Sequence, residues 1–83
     1  MFKIEDNKIL YEEKEEVLGF IEFIYLDSNT VDIIHTYVNP NHRGKGIAKK
    51  LVEYALPYFG QKGITTKYSC SYVKKYEEEK NEN

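Results

Sequence analysis

Residues 38–56, VNPNHRGKGIAKKLVEYAL, carry two glycines, Gly44 and Gly46, inside a basic run that leads straight into an apolar helical pattern. From Ile47 onward, Ile47, Leu51, Tyr54, Ala55 and Tyr58 recur with a period near 3.6, the mark of an amphipathic helix. The start of a helix offers unpaired N–H groups and the positive end of the macrodipole, which together attract anions. Glycine at 44 and 46 removes the side chains that would hold a phosphate away from those N–H groups. Arg43, Lys45 and Lys49 add positive charge beside them. The stretch therefore predicts a backbone cradle for a phosphate or diphosphate.

Upstream of this cradle the sequence is written in strands. MFKIED and KILYEE flank Asn7, EVLGFIEFIYLD follows, and the DSN cluster at 27–29 marks the turn into TVDIIHTYV, rich in β-prone residues throughout. Simple alternation along the last of these puts Val31, Ile33, His35 and Tyr37 on one face. Downstream, Pro57 lacks an N–H and is expected to kink or loosen the helix before Gly60 and Gly63 close it. ITTKY then reads as a short strand. SCSYVKKYEEEK reads as a second helix, with Ser69 or Ser71 as its cap and Tyr72, Val73 and Tyr76 facing inward. The order is four strands, helix, strand, helix: an α+β fold with a mostly antiparallel mixed sheet.

The totals limit what such a fold can be. Eighty-three residues make one domain, 1–83, near the size at which a single core is just sufficient. The chain is 41% hydrophobic and 14% aromatic, with eight tyrosines to four phenylalanines, so much of the core consists of rings with a polar end. A net charge of −2 argues against a dedicated nucleic-acid binder, and an anion site here has to be local. The single cysteine, Cys70, has no intrachain partner. No signal-type segment and no apolar run of about 18 residues is present, so a cytoplasmic protein is expected, monomeric or weakly dimeric. Two histidines and one cysteine lack metal-ligand spacing, and no metal is expected.

Two familiar phosphate loops fail on spacing. A dinucleotide fingerprint needs a third small residue where this chain has Lys49, and a P-loop needs four residues between its glycines and then Lys and Ser or Thr. The stretch resembles instead the acetyl-coenzyme A loop of the GCN5-related N-acetyltransferases, in which Arg or Gln, two residues, Gly, one residue, and Gly or Ala follow a central strand. Asn41, Gly44 and Gly46 occupy those positions. With its flanks, HTYVNPNHRGKGIAKKL and then SCSYVKKY, the chain is similar to the small single-domain acetyltransferase-like proteins that share a His-Thr pair, Arg-Gly-x-Gly and Cys-x-Tyr; the similarity runs from about Gly19 to Tyr76.

The resemblance implies a minimal acetyltransferase fold that binds acetyl-coenzyme A and transfers acetyl to an amine of an unidentified protein or small-molecule acceptor. It places the pantetheine arm against the backbone of Thr36 and Val38, in a gap between that strand and ITTKY. The pyrophosphate falls on the N–H groups of residues 44–48, with Arg43, Gly44, Lys45, Gly46, Ile47 and Ala48 as the cofactor-binding set. His35, Cys70 and Tyr72 are expected to converge near the thioester. A lysine-type amine, with a pKa of about 10.4, is almost wholly protonated at neutral pH, so a base helps. His35 is the candidate by residue type, against a reading as a hydrogen-bonded strand histidine. Cys70, in the first turn of the last helix, could take the acetyl group or a proton, or simply fill space. Tyr72 could protonate the departing sulfur or orient the thioester, or be a core ring. Glu22 reads as part of a solvated face. Larger relatives wall the acceptor groove with helices between their first two strands, where this chain has only the DNK turn. That shortfall favours a rival reading, a non-catalytic coenzyme A binding or sensing module; a second rival, a nucleic-acid or partner-binding domain using the basic helix start, is disfavoured by the acidic total.

Overall fold

The computed structural model describes residues 1–81, the side chains of 80 and 81 excepted. Its elements run β1 (Phe2–Glu5), β2 (Lys8–Glu13), β3 (Glu16–Asp27), β4 (Thr30–Val38), α1 (Ile47–Gln61), β5 (Thr65–Tyr68) and α2 (Ser71–Asn81), with a 3₁₀ turn at Pro40–His42 between β4 and α1. The five strands form one sheet in the order β1-β2-β3-β4-β5. The first three pairings are antiparallel and the last is parallel, as a strand returning after a crossover helix must be.

Short turns make the meander. Asp6 opens the β1–β2 turn with positive φ, and Lys14 and Glu15 both take positive φ between β2 and β3, which suits a two-residue turn to the twist of its strands. At the β3–β4 turn the Asn29 N–H donates to Asp27 Oδ1 at 2.7 Å.

Apolar burial places α1. Ile47, Leu51, Val52, Ala55 and Phe59 are its buried positions, and they pack with Ile9, Ile21, Phe23, Val31 and Ile33 of the sheet in one cluster that Val73 of α2 joins. Tyr54 and Tyr58, expected on the inner stripe, flank this core half-buried, while Val52 and Phe59 lie fully inside. The helix runs through Pro57 for another turn to Gln61, with Gly60 still helical rather than closing it. Its end is Gly63, at φ 72°, where the Gly63 N–H donates to Gly60 O and the Ile64 N–H to Phe59 O. That pair of bonds satisfies carbonyls which would otherwise be left at the helix end.

Both helices thus join one core on one side of the sheet. On the other side a cross-strand row of Leu10, Phe20 and Tyr37 lies beside a row of Lys8, Glu22 and His35. Phe20 and Tyr37 stack at 5.1 Å, and the Lys8 ammonium sits 5.0 Å over the Phe20 ring.

The register of β4 corrects the simple alternation. Glu22 pairs with His35 and Phe23 with Ile33, so Ile34 is an extra, bulged residue. Val31 and Ile33 face the core, but past the bulge it is Thr36 and Val38 that continue their face, and His35 and Tyr37 point to the opposite side. Tyr72, expected inward, is 39% exposed, leaving Val73 fully buried and Tyr76 half-buried as the inner residues of α2.

Candidate functional site

β5 pairs with β4 only as far as Ile33↔Tyr68, whereas β4 runs on to Val38, held from its other side by Gly19 of β3. The parting has a local cause. Asp32 accepts from the Ser69 N–H at 2.8 Å and from its hydroxyl at 2.6 Å, and the N–H groups of Ser69 and Cys70 both donate to Ile33 O. These bonds turn the chain off the strand direction, and α2 starts at Ser71, with the Cys70 carbonyl accepting from the Lys74 N–H. The residue closing the helix start is therefore Cys70, between the two serines expected to cap it. Beyond Ile33, β4 has no strand partner on the β5 side among the described residues.

The parted strands open a cleft of about 420 Å³. Thr36 and Val38 form one wall, Arg43, Gly44 and Gly46 the rim, Ile47, Ala48 and Lys49 the side at the start of α1, and Tyr72 the side at α2. Gly44 and Gly46 have φ of 83° and 74°, the left-handed region that disfavours a side chain. A Cβ at either would meet no atom within 4 Å, so the glycines leave open space in front of the helix. Gly46 closes the start of α1 without a side-chain hydrogen bond, and no acidic residue stands in the first turn. The N–H groups there have no intrahelical acceptor. An uncapped, unneutralised helix start facing a cleft with Arg43 and Lys49 on its lining fits a diphosphate.

Gly19 sets the depth of the arrangement. A Cβ there would lie 2.6 Å from Tyr37 O, 3.1 Å from Ile47 Cγ2 and 3.4 Å from Leu51 Cδ1, so only glycine lets the first turns of α1 lie directly on β3 beside the end of β4. Sequence reasoning did not single it out, although a glycine inside a strand pattern signals close backbone approach. Asp32 was also missed. Its signal is an acidic residue, a poor strand former, in the middle of TVDIIHTYV.

Of the predicted reactive residues, the structure brings Tyr72 to the cleft lining, sets Cys70 behind the cleft residue Thr36 and sends His35 elsewhere. Cys70 is buried, with Sγ 3.3 Å from Oγ1 of Thr36, itself a cleft residue. Burial pushes the Tyr72 hydroxyl above the ordinary tyrosine range, with Tyr76, Glu79 and Glu53 adding to the effect, so it remains a proton donor at neutral pH. His35 lies on the far side of the sheet, opposite Glu22 and 6.2 Å from the Phe20 ring, so the expected convergence of three residues is replaced by two on one face and one on the other. The bulge at Ile34 is the reason. Lys45 is likewise absent from the cleft lining, its ammonium 3.1 Å from His42 Nδ1. Among the described residues no three His, Cys, Asp or Glu side chains gather as a metal site, and no helix is long and apolar enough to cross a membrane.

The family model described as GCN5-related N-acetyl-transferase matches residues 6–83. The chain belongs to this acetyltransferase family. Among its relatives, an uncharacterised N-acetyltransferase in the lysA 3′ region of Bacillus methanolicus is 31% identical over 75 residues, 88% of this chain and 62% of that protein. Protein NATD1 of Xenopus tropicalis is 36% identical over 55 residues, 66% of this chain and 50% of its own length. The acetyltransferase domain described here thus spans about half to three-fifths of these relatives. In three dimensions it resembles a GCN5-like protein from Staphylococcus aureus solved by NMR, with TM-score 0.77 and 25% identity over 99% of this chain and 81% of that one. The PaiA N-acetyltransferase of Thermoplasma acidophilum, solved in complex with coenzyme A, matches with TM-score 0.60 and 26% identity over 69% of this chain and 35% of that one.

Proposed function

We propose that this acetyltransferase domain binds acetyl-coenzyme A in the cleft between β4 and β5 and transfers acetyl to an amine of a protein or small-molecule acceptor. The observation that carries the reading is the parting of β4 from β5 at Ile33, which opens beside a glycine-flanked, uncapped helix start. The coenzyme A complex of the related PaiA supports it. Bound there, the coenzyme supplies an activated acetyl thioester.

The chain's own contribution is binding, orientation and proton handling. Free backbone groups on the β5 side of Thr36 and Val38 pair with an extended amide-bearing arm, as a strand edge does. N–H groups of residues 44–48 hold the diphosphate, and Arg43 and Lys49 screen its charge. The Tyr72 hydroxyl donates a proton toward a departing sulfur. Cys70, behind Thr36, could accept acetyl on sulfur, its thiol proton making good the one passed to the departing sulfur, or as thiolate take a proton from the amine. His35, on the open face beside Glu22, is placed to take a proton from an acceptor arriving from that side.

A thermal-shift series tests the reading. Acetyl-coenzyme A at about 100 times its Kd should add about 2.7 kcal/mol, a Tm rise on the order of 10 °C, and ATP much less. An equal shift from ATP, or none from either, counts against a coenzyme A site. Mass spectrometry after incubation should then find one acetyl group on Cys70, lost in Cys70→Ala, if sulfur carries it, and acetylated product from an amine panel in either case.

One observation favours a second reading. β1 and β2 are joined by a tight turn, so among the described residues no helix covers the sheet face that carries His35 and Tyr37. A coenzyme-binding module without an acceptor would show the Tm rise and no product with any amine.

A further inference from the structure

Lys45 stands between the two glycines of the cradle, yet its side chain turns away to the first link of a chain, Lys45–His42–Glu16. Lys45 Nζ lies 3.1 Å from His42 Nδ1, and His42 Nε2 lies 3.2 Å from Glu16 Oε1. An ammonium only donates and a carboxylate only accepts, so the partners specify the ring: Nδ1 accepts from Lys45, and the one ring proton sits on Nε2, donated to Glu16. The ring is also fixed from the backbone side. The His42 N–H donates to Asn39 O at 2.8 Å, and Asn39 Oδ1 accepts from the Asn41 N–H, so a 3₁₀ turn anchored to the end of β4 holds it.

We propose that His42 is a positioning residue that keeps Lys45 off the coenzyme diphosphate until the ring takes up a proton, so that binding and protonation favour each other. This rests on the reading of the cleft as a coenzyme A site. A proton on Nδ1 removes the acceptor that holds Lys45 and sets two cations about one hydrogen-bond length apart. Lys45 then leaves, while Glu16 keeps its bond and gains the attraction of an imidazolium. The released ammonium projects from between Gly44 and Gly46, next to the N–H groups that face the cleft.

The groups around the ring decide the balance. Glu16 at the start of β3 and Glu13 at the end of β2 favour the imidazolium. Lys45, Arg43 in the same loop, and Lys49 and Lys50 of α1 oppose it. Glu13 itself lies below the ordinary carboxyl range because the Tyr11 hydroxyl donates to it, with Lys50, the N-terminus and His42 contributing less. A diphosphate in the cleft draws Lys45 from the ring and adds negative charge, and both changes favour the proton. By linkage, affinity must rise as pH falls through the range in which imidazoles gain a proton, about 6 to 7.

The test is calorimetric titration of coenzyme A into the 83-residue chain, its His42→Asn and its Lys45→Met variants, between about pH 5.5 and 7.5 in buffers of different ionisation enthalpy. Asparagine leaves an amide oxygen to accept from Lys45 but gains no proton in this range. The ligand's own ionisation is common to all three proteins and cancels in the ratio of their Kd values. Relative to His42→Asn, the unaltered chain should bind roughly three- to fivefold more tightly at the acid end, the worth of about one exposed charge pair. It should also take up a fraction of a proton that the variant does not, and Lys45→Met should lose most of both differences, keeping only the part that the diphosphate's own charge exerts on the ring. Parallel Kd curves with equal proton exchange would overturn the role of His42 and leave coenzyme A binding standing. No binding by any of the three proteins would overturn the cleft reading beneath it, and this inference too.

Discussion

At Gly19 one hydrogen atom in place of a side chain decides how close α1 comes to the sheet. A methyl there meets the Tyr37 carbonyl oxygen at 2.6 Å, and since that oxygen belongs to the paired β4 backbone it cannot swing aside. Gly19→Ala is therefore expected to cost about 1 to 3 kcal/mol through overpacking, a Tm loss on the order of 10 °C in a thermal melt. Gly60 provides the contrast. It lies inside α1 with nothing within 4 Å of a Cβ, so Gly60→Ala should stabilise by roughly 0.5 to 1 kcal/mol. The two substitutions are chemically identical, and their opposite signs in the same melt check that the contacts, not the residue type, decide the outcome. Cys70 was legible as a residue of interest from its uniqueness and its neighbours in sequence; its bond to Thr36, 34 positions away, was not.

Among the elements, α1 departs most clearly from its local sequence. An interior proline removes one helix hydrogen bond and crowds the carbonyl four residues back, so local reasoning expects the helix to kink or loosen at Pro57 and to close soon after. The helix continues because Phe59, one of its fully buried residues, packs edge-on against Phe23 with ring centroids 5.0 Å apart, and losing that contact would cost more than the missing bond. Pro57 itself is exposed, so Pro57→Ala gives up no packing. Proline's interior penalty near 3 kcal/mol is partly offset by its stiffening of the unfolded chain, leaving an expected gain of about 1 to 2 kcal/mol and a Tm rise on the order of 5 to 10 °C. β4 shows the same limit. Its strand character was plain in TVDIIHTYV, but the bulge at Ile34 depends on how β3 pairs with it, and that bulge sends His35 and Thr36 to the opposite faces from those an even alternation gives them.

For the whole molecule, the shifted groups fix the pH range of stability. Asp27 lies below the ordinary carboxyl range, first because the Asn29 N–H donates to it and then through the Thr30 side chain; Glu13 is lowered chiefly by the Tyr11 hydroxyl. A lowered carboxyl contributes stability above its unfolded value, near 4, and that contribution is lost as pH falls through the folded value. Lys3 is raised by Glu5, first through a hydrogen bond, and Tyr68 and Tyr72 are raised by burial. Their contribution holds below about 10 and is lost as pH rises through the folded values. The melting temperature is thus expected to be level from about pH 5 to 9 and to fall on both sides, with a shallower acid limb in Asp27→Asn. Differential scanning fluorimetry across this range measures it.

The sequence by itself determined the element order, the mixed sheet, the phosphate-type loop and the acetyltransferase family, because each is written in short-range features: the switch of period from 2 to 3.6, glycines at fixed spacing, turn residues between apolar runs. Tertiary structure alone decided which of the expected residues share the cleft and which, like His35 and Lys45, do not. Where β5 leaves β4, how near α1 lies to Gly19 and which face His35 takes all depend on pairings between residues far apart in the chain. Local patterns specify how a segment is built, and the energy that fixes its neighbours appears only once the core has closed.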